Sequence, residues 1–108
     1  MRMRKKKWAR PELDNCIYFM QEPTANIGKW KEYFNNNHPI YLELGCGKGS
    51  FISQIANNNK DINFIAIDLK DDMLGYARRK IEEAYAGKDI NNIVLIAYDI
   101  ERIRRCNS

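Results

Sequence analysis

The sequence has few of the residues that cross-link small proteins or bind metals in them. Its three cysteines, Cys16, Cys46 and Cys106, are spaced too widely for a disulfide framework or a zinc site, and its single histidine, His38, lies in a polar stretch. No apolar run approaches the roughly 20 residues that span a bilayer, and no apolar segment follows the basic N-terminus to form a secretory signal. We therefore expect a protein of the reducing cytoplasm, with no metal site and no membrane span.

Acidic residues are absent from the first ten positions. Six basic side chains lie there, so residues 11–108 carry a net charge of −2 although the whole chain carries +4: Arg2, Arg4, Lys5, Lys6, Lys7 and Arg10. A basic arm suits a polyanion, because each neutralised phosphate releases counterions, and the neighbouring Trp8 can stack on a base. The alternative is a solvated tail without a partner. The candidate RNA-binding residues of this arm, residues 1–10, are Arg2, Arg4, Lys5, Lys6, Lys7 and Trp8.

The remaining chain divides at Pro39. Residues 11–38 mix short apolar pieces with turn residues and predict loop and short helix, with Ile27 to Phe34 the best helical stretch. Over residues 39–108, strand patterns alternate with helix patterns. The predicted elements are, in order, a strand at Ile40 to Leu44, a helix at Ser50 to Asn58, a strand within Asp61 to Leu69, a helix capped by Asp71 or Asp72, and a strand at Ile93 to Tyr98. This order predicts an α/β fold with a parallel sheet and flanking helices.

The first predicted strand has no partner on its outer side. A doubly wound sheet continues there, and an unpaired edge is prone to aggregation. We therefore expect residues 39–108 to be the N-terminal half of such a domain, truncated after the third strand.

The first strand runs into the glycine turn Gly45-Cys46-Gly47-Lys48-Gly49. Glycines allow a tight turn and a close approach of the backbone to a ligand, and the helix that follows directs its amides at that ligand. A dinucleotide site has the spacing G-x-G-x-x-G, but Ser50 occupies the last position. Glu43, just before the turn, would repel a pyrophosphate and suits a cofactor with a cationic amino acid part, such as S-adenosylmethionine.

Two further acids follow the next two strands. Asp68 ends the second strand, where an acid reaches the ribose hydroxyls of an adenosine. Asp99 follows the third strand and can accept a hydrogen bond from an adenine amine. Each is also a common residue at a strand end, but all three acids converge at one edge of a parallel sheet. The candidate cofactor-binding residues are Glu43, Gly45, Gly47, Gly49, Asp68 and Asp99.

Together these motifs resemble the class I methyltransferases, whose fold is Rossmann-like. The opening Met-Arg-Met-Arg-Lys-Lys-Lys-Trp-Ala, the segment Gly28-Lys29-Trp30 and the stretch Pro39 to Ile52 are similar to the bacterial tRNA (guanine-N7-)-methyltransferase family. The resemblance implies S-adenosylmethionine as cofactor and N7 of a variable-loop guanine in tRNA as methyl acceptor. It also implies that Glu43 lies beside the methionine part, Asp68 at the ribose and Asp99 at the adenine.

The same family carries an Asp-Pro-Trp-Pro-Lys type segment after its fourth strand, which this sequence lacks. The resemblance therefore implies that the catalytic aspartate lies beyond Ser108, and no catalytic residue is assigned within the chain. The alternatives are a truncated, non-catalytic fragment that binds cofactor or RNA, another class I methyltransferase, and an oxidoreductase fragment, against which Ser50 and Glu43 argue. The sequence leaves open whether the protein is a monomer or a homodimer.

Overall fold

The computed structural model describes residues 7–21, 29–45 and 49–98. Within these ranges the helices and strands follow one another in the order α1 (Ala9–Asp14), β1 (Phe19–Met20), α2 (Trp30–Phe34), β2 (Ile40–Leu44), α3 (Ser50–Asn58), β3 (Asn63–Asp68), α4 (Asp71–Tyr85) and β4 (Ile93–Ala97). None of the described helices combines the length and the apolar character needed to cross a bilayer.

All four strands pair in parallel, in the order β1-β4-β3-β2. In the register, Leu44 lies opposite Ile67, and Asp68 lies opposite Ala97. The predicted order from β2 to β4 is confirmed, as is the parallel sheet with flanking helices. Because the strands are parallel, the carboxyl ends of β2, β3 and β4 meet at one edge of the sheet, where α/β folds bind ligands.

The two faces of the sheet carry separate hydrophobic clusters, because successive side chains of a strand point to opposite faces. One face packs against α1, α3 and α4 through buried side chains that include Leu13, Ile52, Phe64, Leu74, Ala77, Ile81 and Leu95. The opposite face packs against Phe34 of α2 through Ile65, Ile67, Val94 and Ile96. Gly49, the residue before α3, lies against Ala77 of α4 on the helical face.

The N-terminal extension differs from its prediction in two places. The sequence predicts only loop and short helix over residues 11–38, which is wrong at β1, because Phe19 and Met20 pair with β4. Helix α1 begins at Ala9 and thus crosses the predicted boundary at residue 10. A two-residue strand has no periodicity of its own and forms because a partner strand offers its backbone, so local pattern does not reveal it.

Strand β2 is one of the two edge strands of the described sheet, and its apolar side chains are exposed. Ile40, Leu42 and Leu44 are 39, 50 and 45% exposed, although their neighbours Ile65 and Ile67 on β3 are buried. An apolar strand at an edge is a surface that another segment or molecule can cover.

Candidate cofactor site at the carboxyl edge of the sheet

Gly45 continues β2 by one residue and then turns the chain. Its N–H donates to the carbonyl oxygen of Ile67 at 2.7 Å, and its φ of +77° lies in the left-handed region that favours glycine. A Cβ atom built on Gly45 meets no atom of the described residues within 4 Å. As far as the described residues go, the backbone at this position therefore lies open to a ligand above the sheet edge.

Gly49 closes the same turn and has a different reason to be glycine. It is buried, has a φ of +81° and stands as the N-cap residue of α3. A Cβ atom there would lie 2.5 Å from the Cα of Ala77 in α4, closer than real atoms approach. Gly49 thus lets α3 begin directly against α4.

Glu43 is the acid of β2 that precedes the turn. It pairs with Ala66, so its side chain lies on the face of the sheet that carries α3 and α4. Its Oε2 atom is buried without a hydrogen-bond partner among the described residues, and desolvation raises the pKa of the carboxyl. Burying an unpaired carboxylate is costly, so this position favours a cationic or hydrogen-donating ligand.

Asp68 is the last residue of β3 and is half-buried. Its Oδ1 accepts a hydrogen bond from the N–H of Lys70 at 3.0 Å, and Lys70 is the N-cap residue of α4. The expectation that Asp71 or Asp72 caps this helix is wrong, because α4 has no side-chain cap and both acids lie inside its first turn. Asp68 therefore orders the start of α4 with one oxygen and makes no hydrogen bond with Oδ2 among the described residues.

The remaining predicted positions divide between the described and the undescribed parts of the chain. Gly47 and Asp99 of the predicted cofactor set, and Arg2, Arg4, Lys5 and Lys6 of the predicted RNA-binding set, lie outside the described residues. The edge of the sheet thus brings together Glu43, Gly45, Gly49 and Asp68, in the arrangement that the parallel topology predicts.

Lys7 and Trp8 are the described members of the predicted basic arm. Lys7 is exposed, but Trp8 is half-buried against α4. The guanidinium carbon of Arg79 lies 3.5 Å from the centroid of the Trp8 ring, and the ring of Tyr76 meets it edge-on at 5.2 Å. Trp8 therefore packs within the protein, with a cation already on one of its faces.

The contacts between α1 and α4 are not predicted by the sequence. A Cβ atom on Gly75 would lie 2.9 Å from the Cβ of Ala9, so glycine lets the two helices touch. Arg10 binds Asp71, and Glu12 binds both Arg78 and Arg79. A glycine inside a strong helical pattern is the one local signal of such a close approach. The ion pairs have no signal in the sequence, because their partners are more than 60 residues apart.

Comparison with known protein families gives one decisive match. The model of the family described as "Putative methyltransferase" matches residues 37–106, well over half of the chain. The chain belongs to this methyltransferase family. Membership of this family excludes the alternative of an oxidoreductase fragment. It agrees with the glycine turn that follows Glu43.

Individual relatives and solved structures extend this result. A tRNA (guanine-N(7)-)-methyltransferase of Clostridium botulinum (strain Alaska E43 / Type E3) is 60% identical over 102 residues, which are 93% of this chain and 47% of the relative. A tRNA (guanine-N(7)-)-methyltransferase of Acetivibrio thermocellus is 53% identical over 107 residues, which are 97% of this chain and 49% of the relative. This chain thus spans about half the length of the curated relatives it matches.

A solved structure described as an antibiotic-related methyltransferase shares the fold. It superposes with a TM-score of 0.54 at 20% sequence identity, over 68% of this chain and 37% of its own. The predicted Rossmann-like α/β fold is thereby confirmed.

The described residues fit S-adenosylmethionine. The unpartnered Oε2 of Glu43 suits a cationic amino acid, the open backbone at Gly45 permits close approach, and Asp68 keeps one oxygen for hydroxyl groups. A pyrophosphate would instead bring negative charge against the buried carboxylate of Glu43, which electrostatics disfavours.

Proposed function

We propose that this chain is the cofactor-binding half of a tRNA (guanine-N7-)-methyltransferase, which transfers a methyl group from S-adenosylmethionine to N7 of a guanine in tRNA. The observation that carries the proposal is the 60% identity to a curated enzyme of that name over 93% of the chain. The geometry at the carboxyl edge of the sheet supports the same cofactor. As an enzyme acting on tRNA, the protein belongs in the cytoplasm.

Each residue at the sheet edge has a defined task in this proposal. Glu43 pairs with the amino acid part of the cofactor, and Asp68 accepts hydrogen bonds from the ribose hydroxyls. The turn that holds Gly45, Gly47 and Gly49 presents backbone to the ligand, and Asp99 binds the adenine amine. When bound, S-adenosylmethionine supplies an electrophilic methyl group.

Methylation of guanine N7 requires no acid–base group from this half of the site. N7 of guanine carries an in-plane lone pair and no proton, so its methylation needs no general base. What the protein must do is hold the reacting groups in line, and good orientation lowers a barrier by roughly 7–11 kcal/mol in favourable cases. Carboxylates near the base stabilise the positive charge that it gains.

The basic arm is proposed to contact the tRNA backbone. Arg2, Arg4, Lys5, Lys6 and the exposed Lys7 offer cations to phosphates, and such contacts weaken as salt rises. Trp8 enters the proposal as the residue that fastens the arm to α4, because Arg79 already lies on its ring. A base can stack only on the face of the ring opposite Arg79.

The test is methyl transfer by the full-length protein. Labelled S-adenosylmethionine is incubated with tRNA transcripts, and digested nucleosides are analysed by mass spectrometry. We expect N7-methylguanosine in the wild-type transcript and none when the variable-loop guanine is replaced by adenine.

Ligand-binding measurements separate this proposal from the alternative functions. Asp68→Ala should weaken binding of S-adenosylhomocysteine while circular dichroism stays unchanged, since the side chain is half-buried at the sheet edge. If the full-length protein binds this ligand but leaves N7 unmodified, it is another class I methyltransferase. If it binds the ligand and RNA but transfers no methyl group to any acceptor, it is a non-catalytic binding protein.

A further inference from the structure

Arg10, the last residue of the basic arm, connects α1 to the first turn of α4. Its Nη1 atom lies 2.9 Å from both carboxylate oxygens of Asp71, a residue 61 positions further along the chain. Its Nε atom lies 3.3 Å from Asp14, and its guanidinium carbon lies 5.5 Å from the centroid of the Phe19 ring. Arg10 is thus held from α1 and β1 while it binds α4.

The ion pair lies next to the proposed ribose acid. Lys70 stands between Asp68 and Asp71, its N–H donates to Asp68 Oδ1 at 3.0 Å, and its carbonyl oxygen accepts the N–H of Leu74 at 3.2 Å. The orientation of the Asp68 carboxylate therefore depends on where Lys70 is held, and Lys70 is covalently joined to Asp71. Nothing else among the described side chains bonds to the carboxylate of Asp71.

The environment of the pair favours a positioning role. The side chains of Arg10 and Asp71 are 30 and 16% exposed, so the pair is partly shielded from solvent and from salt. The second set of ion pairs between the same helices, from Glu12 to Arg78 and Arg79, lies about two turns further along α4, away from the sheet edge. The two sets thus have the same partner helices and different distances from Asp68.

We propose that Arg10 is a positioning residue of the cofactor site, which through Asp71 holds the turn of residues 68–70 so that Asp68 faces the ribose. This inference rests on the proposed function, because it assumes that Asp68 binds the cofactor. It makes α1, which begins within the basic arm proposed to contact RNA, part of the cofactor half as well.

The test compares ligand affinity with stability in the full-length protein. S-adenosylhomocysteine is titrated by calorimetry, well below the melting temperature of every variant. Arg10→Gln should weaken Kd about three- to tenfold, and Asp71→Asn should weaken it equally. The double variant should be no weaker than either single variant, because both remove one ion pair. Arg10→Lys, which keeps the charge, should recover most of the affinity.

Glu12→Gln is the matched control. It removes the ion pairs of the same two helices further from the site, and should lower Tm while Kd stays within about twofold of wild type. If Arg10→Gln lowers Tm but leaves Kd unchanged, or if Glu12→Gln weakens Kd as much, Arg10 has only a structural role and the inference is wrong. Failure of the wild-type protein to bind the ligand contradicts the proposed function itself, and the inference with it.

Discussion

At the scale of single residues, the proposed cofactor contact of Glu43 implies that this side chain lowers stability in the absence of ligand. Its buried Oε2 has no partner among the described residues, and desolvation raises the pKa of its carboxyl. A group whose pKa is higher in the folded state stabilises the protein most below its unfolded pKa, and this contribution is lost as pH rises through the folded pKa. A bound cation reverses the preference, because it favours the ionised carboxylate.

Glu43→Gln should therefore change stability and binding in opposite directions. The free energy of unfolding at pH 7 should rise by up to about 1 kcal/mol, since a neutral amide is cheaper to bury than an unpaired carboxylate. Binding of S-adenosylhomocysteine should weaken by about tenfold or more, since a charge-assisted hydrogen bond is lost. Urea unfolding and calorimetry on the same preparations measure the two quantities. A variant that loses stability and keeps its affinity would show that Glu43 is a structural residue.

The two glycines of the turn allow a second comparison. Gly49→Ala should reduce the free energy of unfolding by about 3 kcal/mol, because the new Cβ atom meets the backbone of Ala77 at 2.5 Å in a left-handed conformation. Gly45→Ala has a similar φ but meets no described atom within 4 Å, and should cost only about 1 kcal/mol. Equal losses in urea denaturation would mean that conformation alone, and not contact with α4, requires glycine at position 49.

At the scale of elements, α1 is fastened to α4 by charge as well as by packing. Glu12 accepts from Arg78 Nη2 at 2.7 Å and from Arg79 Nη2 at 2.6 Å. Hydrogen bonds from Arg79 and then Arg78 lower the pKa of Glu12 from 4.5 to about 2. A lowered folded pKa contributes stability that is present above the unfolded pKa and lost as pH falls towards the folded pKa.

The contact between α1 and α4 should therefore weaken in acid. We expect the urea midpoint of the wild-type protein to fall between pH 5 and pH 2, and to fall less in Glu12→Gln, which has no proton to gain at this position. Added salt should reduce the difference between the two proteins, because these side chains are partly exposed. Parallel pH profiles for the two proteins would refute the assignment of this titration to Glu12.

At the scale of the whole molecule, the described sheet is covered unequally. The face with α1, α3 and α4 is covered over most of its strands, although Tyr41 of β2 is 42% exposed there, whereas on the other face β2 presents Leu42 and Leu44 at 50 and 45% exposure. This apolar edge should make the 108-residue chain self-associate and bind hydrophobic dyes.

Leu42→Glu tests that surface, with its neighbour on β3 as control. It should reduce association in analytical ultracentrifugation while circular dichroism stays that of the wild type. Ile65→Glu, opposite Leu42 in the register but 3% exposed, should instead destabilise the fold by roughly 3–5 kcal/mol, because it buries a charge. If both variants unfold, Leu42 is part of the core and β2 is not an open edge.

Much of this architecture is determined by local sequence. Apolar runs of strand length, helical spacing and the glycines of the turn predict β2, α3, β3, α4 and β4 in order, and their alternation implies parallel strands. Because parallel strands share one carboxyl edge, the convergence of Glu43 and Asp68 follows without coordinates. These features are local patterns, or simple consequences of how local patterns connect.

Only the tertiary structure decides the rest. Strand β1 exists because β4 offers its backbone, Gly49 is constrained by Ala77 as well as by the turn, and Asp68 is tied to Lys70 while Asp71 is held by Arg10. These contacts depend on how the elements pack against one another and on which conformation each side chain adopts. Hydrophobic periodicity in the sequence specifies neither. The sequence alone thus determined the order of elements from β2 to β4 and the acids at the sheet edge, and packing decided how β1 joins the sheet and how Asp68 is held.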